Sequence, residues 1–269
     1  MKRILISVLM TALLVGVVYA RGSQEAPEAA PGNYQDGNYR ATFSHVDSRG
    51  WQPFLDLEVR NGSVLSARFD YVNAAGTLKS RDTAYNDRMA AQTGGVSTAT
   101  ASPQLAVRLV QRQAAPVDVI TGATSSTRNF NALAEAALEQ AMVGNTEVVV
   151  LPMNAAYMAE DRPDERGGWI GQFVVEFENG RLVYANYDEV LKVGGEITDR
   201  KTTNSQYAAR YAEVNGITPA EVYKQLEENL VSAGDPGMVD TITGATVAST
   251  RFRRLAGEAL GKRVTVSLP

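Results

Sequence analysis

Two stretches of this 269-residue chain are copies of one another. Residues 39–76 align with 157–194 at a constant offset of 118, through Gly50-Trp51/Gly168-Trp169, Asn61-Gly62/Asn179-Gly180 and Asp70/Asp188. Four extra residues then stand in the second copy, where 195–200 face Thr77-Leu78. From there the offset is 122, through Lys79/Lys201, Tyr85/Tyr207, Gly94/Gly216, Asp118/Asp240 and Phe130/Phe252. One gap over about a hundred aligned residues marks a tandem duplication, so each copy must specify its own core.

Within a copy the elements follow from pattern. Residues 54–59 and 173–177 alternate as half-buried strands do. Asn61-Gly62 and Asn179-Gly180 are two-residue hairpin turns, because both central positions require positive φ, and 64–69 and 182–187 return as second strands. Helical regions are expected over 80–91 and 199–214, then a helix that is clearest at Thr218-Pro219-Ala220-Glu221: a capping residue, proline in the first position, an acidic first turn. A last helix and a strand, 147–151 or 263–266, close each copy, and the polar stretch 153–164 reads as the connection. The fold class is α+β: two tandem repeats, each a small antiparallel sheet packed with helices, over 37–151 and 152–269.

Residues 1–20 read as an export signal, with Lys2 and Arg3 before an apolar run that ends in Val18-Tyr19-Ala20. Arg21 stands where a bacterial lipoprotein signal would carry its cysteine, so a soluble periplasmic or cell-surface protein is expected. Residues 21–36, rich in Pro, Ala and Glu, read as a flexible tether. The formal charge of −4 falls to −6 once Lys2 and Arg3 are removed, and no basic block points to nucleic acid. The chain has no cysteine and one histidine, His45. Thiolate-held clusters, disulfides and covalent haem are therefore excluded, and no metal site is expected.

Each copy contains one further signal. Asp118-Val119-Ile120-Thr121-Gly122-Ala123-Thr124 and Asp240-Thr241-Ile242-Thr243-Gly244-Ala245-Thr246 both run straight into an amphipathic helical pattern. Two readings stand. Thr124 and Thr246 are ordinary N-caps beside a turn glycine, or they open a phosphate seat, where free backbone N–H groups meet the positive end of the helix dipole. Thr127 and Ser249, three residues on, would share that face and donate to an anion.

This sequence resembles the attachment sequence of the FMN-binding domain family, which includes the covalent-flavin subunits of sodium-pumping NADH:quinone oxidoreductase and of the Rnf complex. The two copies together resemble two-domain flavoproteins of extracytosolic electron transfer. The resemblance implies FMN joined by phosphoester to Thr124 and Thr246, placed there by a flavin transferase that uses FAD and Mg²⁺. It also implies that Asp118, Thr121, Gly122 and Ala123, with Asp240, Thr243, Gly244 and Ala245, form the recognition turn. Tyr85 and Met89, and their counterparts Tyr207 and Tyr211, are either flavin ring contacts or core residues. Trp51 and Trp169 read as core anchors. Lys79 and Lys201 are charge-offsetting groups or solvated surface lysines. The implied role is an electron carrier rather than an enzyme with its own substrate, relaying electrons from a membrane donor complex to an extracytosolic acceptor. A flavinylated input module of a reductase, or a non-redox binding protein on the same scaffold, are the alternatives.

Overall fold

The computed structural model describes residues 33–162 and 168–269, so the expected signal segment and most of the 21–36 tether lie outside the described residues. The first unit runs β1 (Gly37–Phe43), β2 (Gln52–Arg60), β3 (Ser63–Val72), α1 (Thr83–Thr93), α2 (Thr98–Arg112), α3 (Thr124–Val143) and β4 (Val149–Leu151). The second runs β5 (Ala155–Glu160), β6 (Ile170–Glu178), β7 (Arg181–Val193), β8 (Glu196–Arg200), α4 (Ser205–Asn215), α5 (Pro219–Ala233) and α6 (Thr246–Leu260). The α+β duplication is thus realised as two four-stranded sheets, β3-β2-β1-β4 and β5-β6-β7-β8, each covered by helices.

The hairpins form where the Asn-Gly pairs stand. Asn61 and Gly62 have φ of 53° and 76°, and Asn179 and Gly180 have 50° and 78°. The register of each hairpin shifts at the equivalent place, Glu58/Val59 and Glu176/Phe177, so both strands twist alike. Apolar periodicity carries α3 and α6 onto the sheets. Phe130 meets Phe69 edge-on at 5.3 Å, and Phe252 meets Phe173 at 5.1 Å and Tyr187 at 5.5 Å. The start of α5 is as the sequence predicts: Pro219 is its first residue, and Thr218 and Glu221 bond each other's backbone N–H.

Four expectations need correction. The expected connection 153–164 contains β5, because Tyr157 and Ala159 alternate inward despite the polar composition. The end of the tether is docked: Tyr34 donates its hydroxyl to the Gln113 carbonyl at 2.8 Å, and the Gln35 N–H reaches Ala141 O at 2.8 Å. Asp199 opens no helix, since the four-residue insertion extends β7 and folds back as β8. Residues 263–266 form no strand of the second sheet. Instead Val264 O accepts from Val46 N–H at 2.9 Å, Thr265 Oγ1 donates to Ser44 O at 2.8 Å, and Val266 N–H donates to Gln52 Oε1 at 2.9 Å. In the first sheet the corresponding strand β4 pairs parallel with β1.

Phe130 and Phe252 are fully buried at matching positions. Phe130→Ala and Phe252→Ala are each expected to cost about 3–5 kcal/mol, read from urea unfolding.

Candidate functional site

Each Thr-Gly-Ala-Thr sequence is a tight turn pressed against the end of a neighbouring helix. Ile120 O accepts from Ala123 N–H, and Ile242 O from Ala245 N–H, both at 2.9 Å. Gly122 (φ 82°) and Gly244 (φ 77°) occupy the left-handed region. Neither has room for a side chain: a Cβ on Gly122 would lie 3.0 Å from Thr93 Cβ, and one on Gly244 would lie 2.8 Å from Asn215 O. Thr93 and Asn215 are the last residues of α1 and α4.

The turn settles the capping question. Helices α3 and α6 begin at Thr124 and Thr246, so the N-cap positions belong to Ala123 and Ala245, which have no capping side chain. Both threonines are exposed, and among the described residues no hydrogen bond uses either hydroxyl. The N-cap reading of the threonines is therefore overturned. Alanine is among the poorest N-caps, which leaves first-turn N–H groups open to an external acceptor. The expectation for Thr127 and Ser249 also fails. Thr127 Oγ1 accepts from Ile120 N–H at 3.2 Å and donates to Ala123 O at 3.1 Å; Ser249 Oγ does the same with Ile242 and Ala245, at 3.1 and 2.9 Å. Both hydroxyls are buried on the core-facing side of the helix, where they fasten the turn instead of facing an anion.

In the first unit Thr124 opens onto a cleft of about 1090 Å³, at the upper end of the size typical of small-molecule sites. Gly122 and Ala123 line it, and Tyr85 and Met89 project into it from α1. Asp118 and Thr121 do not line it; both are exposed. Trp51 serves both as core anchor and as cleft wall, only 6% exposed. Lys79 is no solvated lysine: it is 5% exposed, and its ammonium sits 4.4 Å from the Tyr71 ring centre and 4.6 Å from that of Tyr85. Asp70 and Asn86 hold that segment. The Asp70 carboxylate accepts from the Ser80 N–H and hydroxyl, and the Asn86 amide donates to Lys79 O at 2.8 Å.

The second unit repeats the frame with different contents. The Tyr207 ring lies 5.8 Å from Trp169 and 6.0 Å from Tyr211, whose hydroxyl donates to Gly244 O at 3.3 Å. These rings thus gather at the Thr246 turn, while Asp240 and Thr243 are exposed. Lys201 lies over Trp169 and Tyr207 as Lys79 lies over Trp51 and Tyr85. It also pairs with Glu189 at 2.8 Å, a partner that the sequence reading missed. Burial alone would depress the Lys201 pKa, but the Glu189 carboxylate outweighs it and holds the ammonium above its usual value. The signal was present at the constant offsets, where Tyr71 and Asn129 of the first unit face Glu189 and Arg251 of the second.

No family model matches the chain. The 15 kDa lipoprotein of Treponema pallidum (strain Nichols) is 34% identical over 116 residues, which is 43% of this chain and 82% of that protein. The chain belongs to the family of the 15 kDa lipoprotein. The matched length is about that of one repeat. The crystal structure of CPE2226 protein from Clostridium perfringens is 33% identical, covering 45% of this chain and 98% of that one, with a TM-score of 0.43. A solution NMR structure from Clostridium thermocellum is 22% identical, covering 42% and 94%, with a TM-score of 0.29.

Two outcomes follow from this geometry. Gly122→Ala and Gly244→Ala force a side chain into left-handed backbone and into a neighbouring helix end; each is expected to cost at least about 1–2 kcal/mol in chemical denaturation. Glu227 lies against β7, its carboxyl accepting from Tyr187 N–H at 2.6 Å, and burial raises its pKa from 4.5 to about 7. The folded chain therefore holds a proton there that the unfolded chain releases. This contribution to stability is complete below the unfolded pKa and is lost as pH rises through about 7. Glu227→Gln is expected to remove that loss, measured by urea unfolding at about pH 5 and about pH 8.

Proposed function

We propose that this chain is an exported electron carrier with FMN joined by phosphoester to Thr124 and to Thr246. The observation that carries the reading is the exposed, unbonded Thr124 hydroxyl, set on the first turn of α3 at the mouth of the cleft. The residues fit a flavin phosphate and ring. The helix start supplies free N–H groups and a positive dipole end for the phosphate, and Gly122 and Ala123 leave the hydroxyl clear of side chains. Trp51, Tyr85 and Met89 offer apolar walls for a planar ring, and Lys79 contributes positive charge. Thr246 has the same backbone geometry, with Tyr207 and Tyr211 beside it.

When bound, FMN would supply the electron chemistry; the chain's own residues anchor, orient and tune it. A covalent anchor prevents loss of the group outside the cytosol, where free FMN cannot be relied on. The export signal pattern supports that location, as does the relative named a lipoprotein. Attachment would require a flavin transferase working with FAD and Mg²⁺. Electrons would then pass from a membrane donor complex to an extracytosolic acceptor.

The test is intact mass after co-expression and export with a flavin transferase. Two FMN adducts are expected on the wild type, one each on Thr124→Ala and Thr246→Ala, and none on the double variant. Alanine is a favourable residue within a helix, so these variants keep the fold. An unmodified wild type, beside a control substrate that the transferase does load, overturns the reading.

A further inference from the structure

The two sites share a frame but differ in charge. Lys79 is buried in a cage of three rings, with its ammonium 4.4 Å from Tyr71, 4.6 Å from Tyr85 and 5.7 Å from Trp51. Among the described residues it has no ion pair and its ammonium makes no hydrogen bond. The rings attract the cation but bring no negative charge. Burial pushes the Tyr71 hydroxyl up to about 12, so it stays neutral beside Lys79. The other charged groups lining this cleft are Arg49, Arg88 and Arg128 against Asp47 and Asp82. Those two carboxylates are engaged by backbone N–H groups, of Arg49 and Trp51 and of Tyr85 respectively. The balance is positive.

In the second unit the cation is neutralised. Glu189 occupies the position of Tyr71 and meets Lys201 at 2.8 Å. Arg251, at the position of Asn129, also binds Glu189, at 2.7 Å, and reaches Asp161 at 2.8 Å. Arg254 reaches Asp161 as well, so Lys201, Arg251 and Arg254 are held by Glu189 and Asp161 in one ion-pair network. Glu189 is 4% exposed and further fixed by the hydroxyls of Tyr187 and Tyr223, at 3.2 and 2.9 Å.

We propose that Lys79 makes the first site the electron-accepting end of the pair, and that Glu189 cancels the same effect at the second. The inference rests on flavin attachment at both threonines. A flavin ring reduced by two electrons and one proton, taken from the donor and from solvent, gains one negative charge. An unpaired ammonium in a low-dielectric cleft favours that charged form, whereas one already paired to a carboxylate favours it far less. Electrons shared between the two flavins would then collect at Thr124.

The test measures midpoint potentials by mediated spectroelectrochemical titration of singly loaded protein. Thr246→Ala carries the first flavin and Thr124→Ala the second, with loading checked by intact mass. The first potential is expected to be the higher. Lys79→Gln in the Thr246→Ala background is expected to lower it by at least the equivalent of a tenfold change in equilibrium constant, about 30 mV for two electrons. Lys79→Arg is expected to restore most of it. Glu189→Gln in the Thr124→Ala background, which leaves Lys201 without its carboxylate, is expected to raise the second potential. If Lys79→Gln disturbs the fold, judged by circular dichroism, the Lys79→Arg and Glu189→Gln arms decide. Equal or reversed potentials, or potentials that ignore these substitutions in loaded protein, overturn this inference alone. Absence of any FMN adduct overturns the function reading and this inference with it.

Discussion

The left-handed backbone at Gly122 and Gly244 lets the start of one helix lie against the end of another with no side chain between them. The opening of the threonine onto the site depends on that contact. It brings the residues of α1 within reach of the first turn of α3, so that Tyr85 and Met89 share a cleft with Thr124. It also hands the capping position to an alanine, leaving the threonine hydroxyl without internal duty. The buried hydroxyls of Thr127 and Ser249 then lock the turn from below.

The units differ at most aligned positions yet keep this shared frame. Asp70 and Asp188 hold the strand ends in the same way, each accepting from the hydroxyl of the residue after the lysine, Ser80 or Thr202. What changed is what the lysine meets. A tyrosine in one unit and a glutamate in the other turn one cation–π cage into an ion-pair network. Duplication preserved the position of the charge while altering its neighbours, which is a small genetic step with a large electrostatic effect in a buried setting.

Much of the fold was legible in the residues. The Asn-Gly pairs demanded positive φ and received it, and the apolar spacing of α3 and α6 placed Phe130 and Phe252 in the core. The insertion was visible as well, yet the sequence reading assigned its end to a helix, whereas it extends β7 and returns through Gly194-Gly195 as β8 in a local hairpin. Nor was the outcome legible for 263–266, whose strand-like composition says nothing of which sheet offers it a partner. At the site, the turn glycines and the threonines could be read directly. Their neighbours could not. The burial of Lys79 follows from three rings contributed by separate elements, and the spending of Thr127 inside the turn follows from which helix face meets the sheet. Both are tertiary facts that local pattern does not encode.

The tail that follows α6 returns to the first unit, where Val264 and Val266 pair with Val46 and Gln52. A chain is made from its N-terminus onward. The first unit must therefore wait for residues near position 266 before those hydrogen bonds are made, long after its own strands and helices have emerged. Completion of the first half is thereby a report that the second half has arrived, and a chain cut short anywhere before the tail leaves that edge open to water or to a stranger.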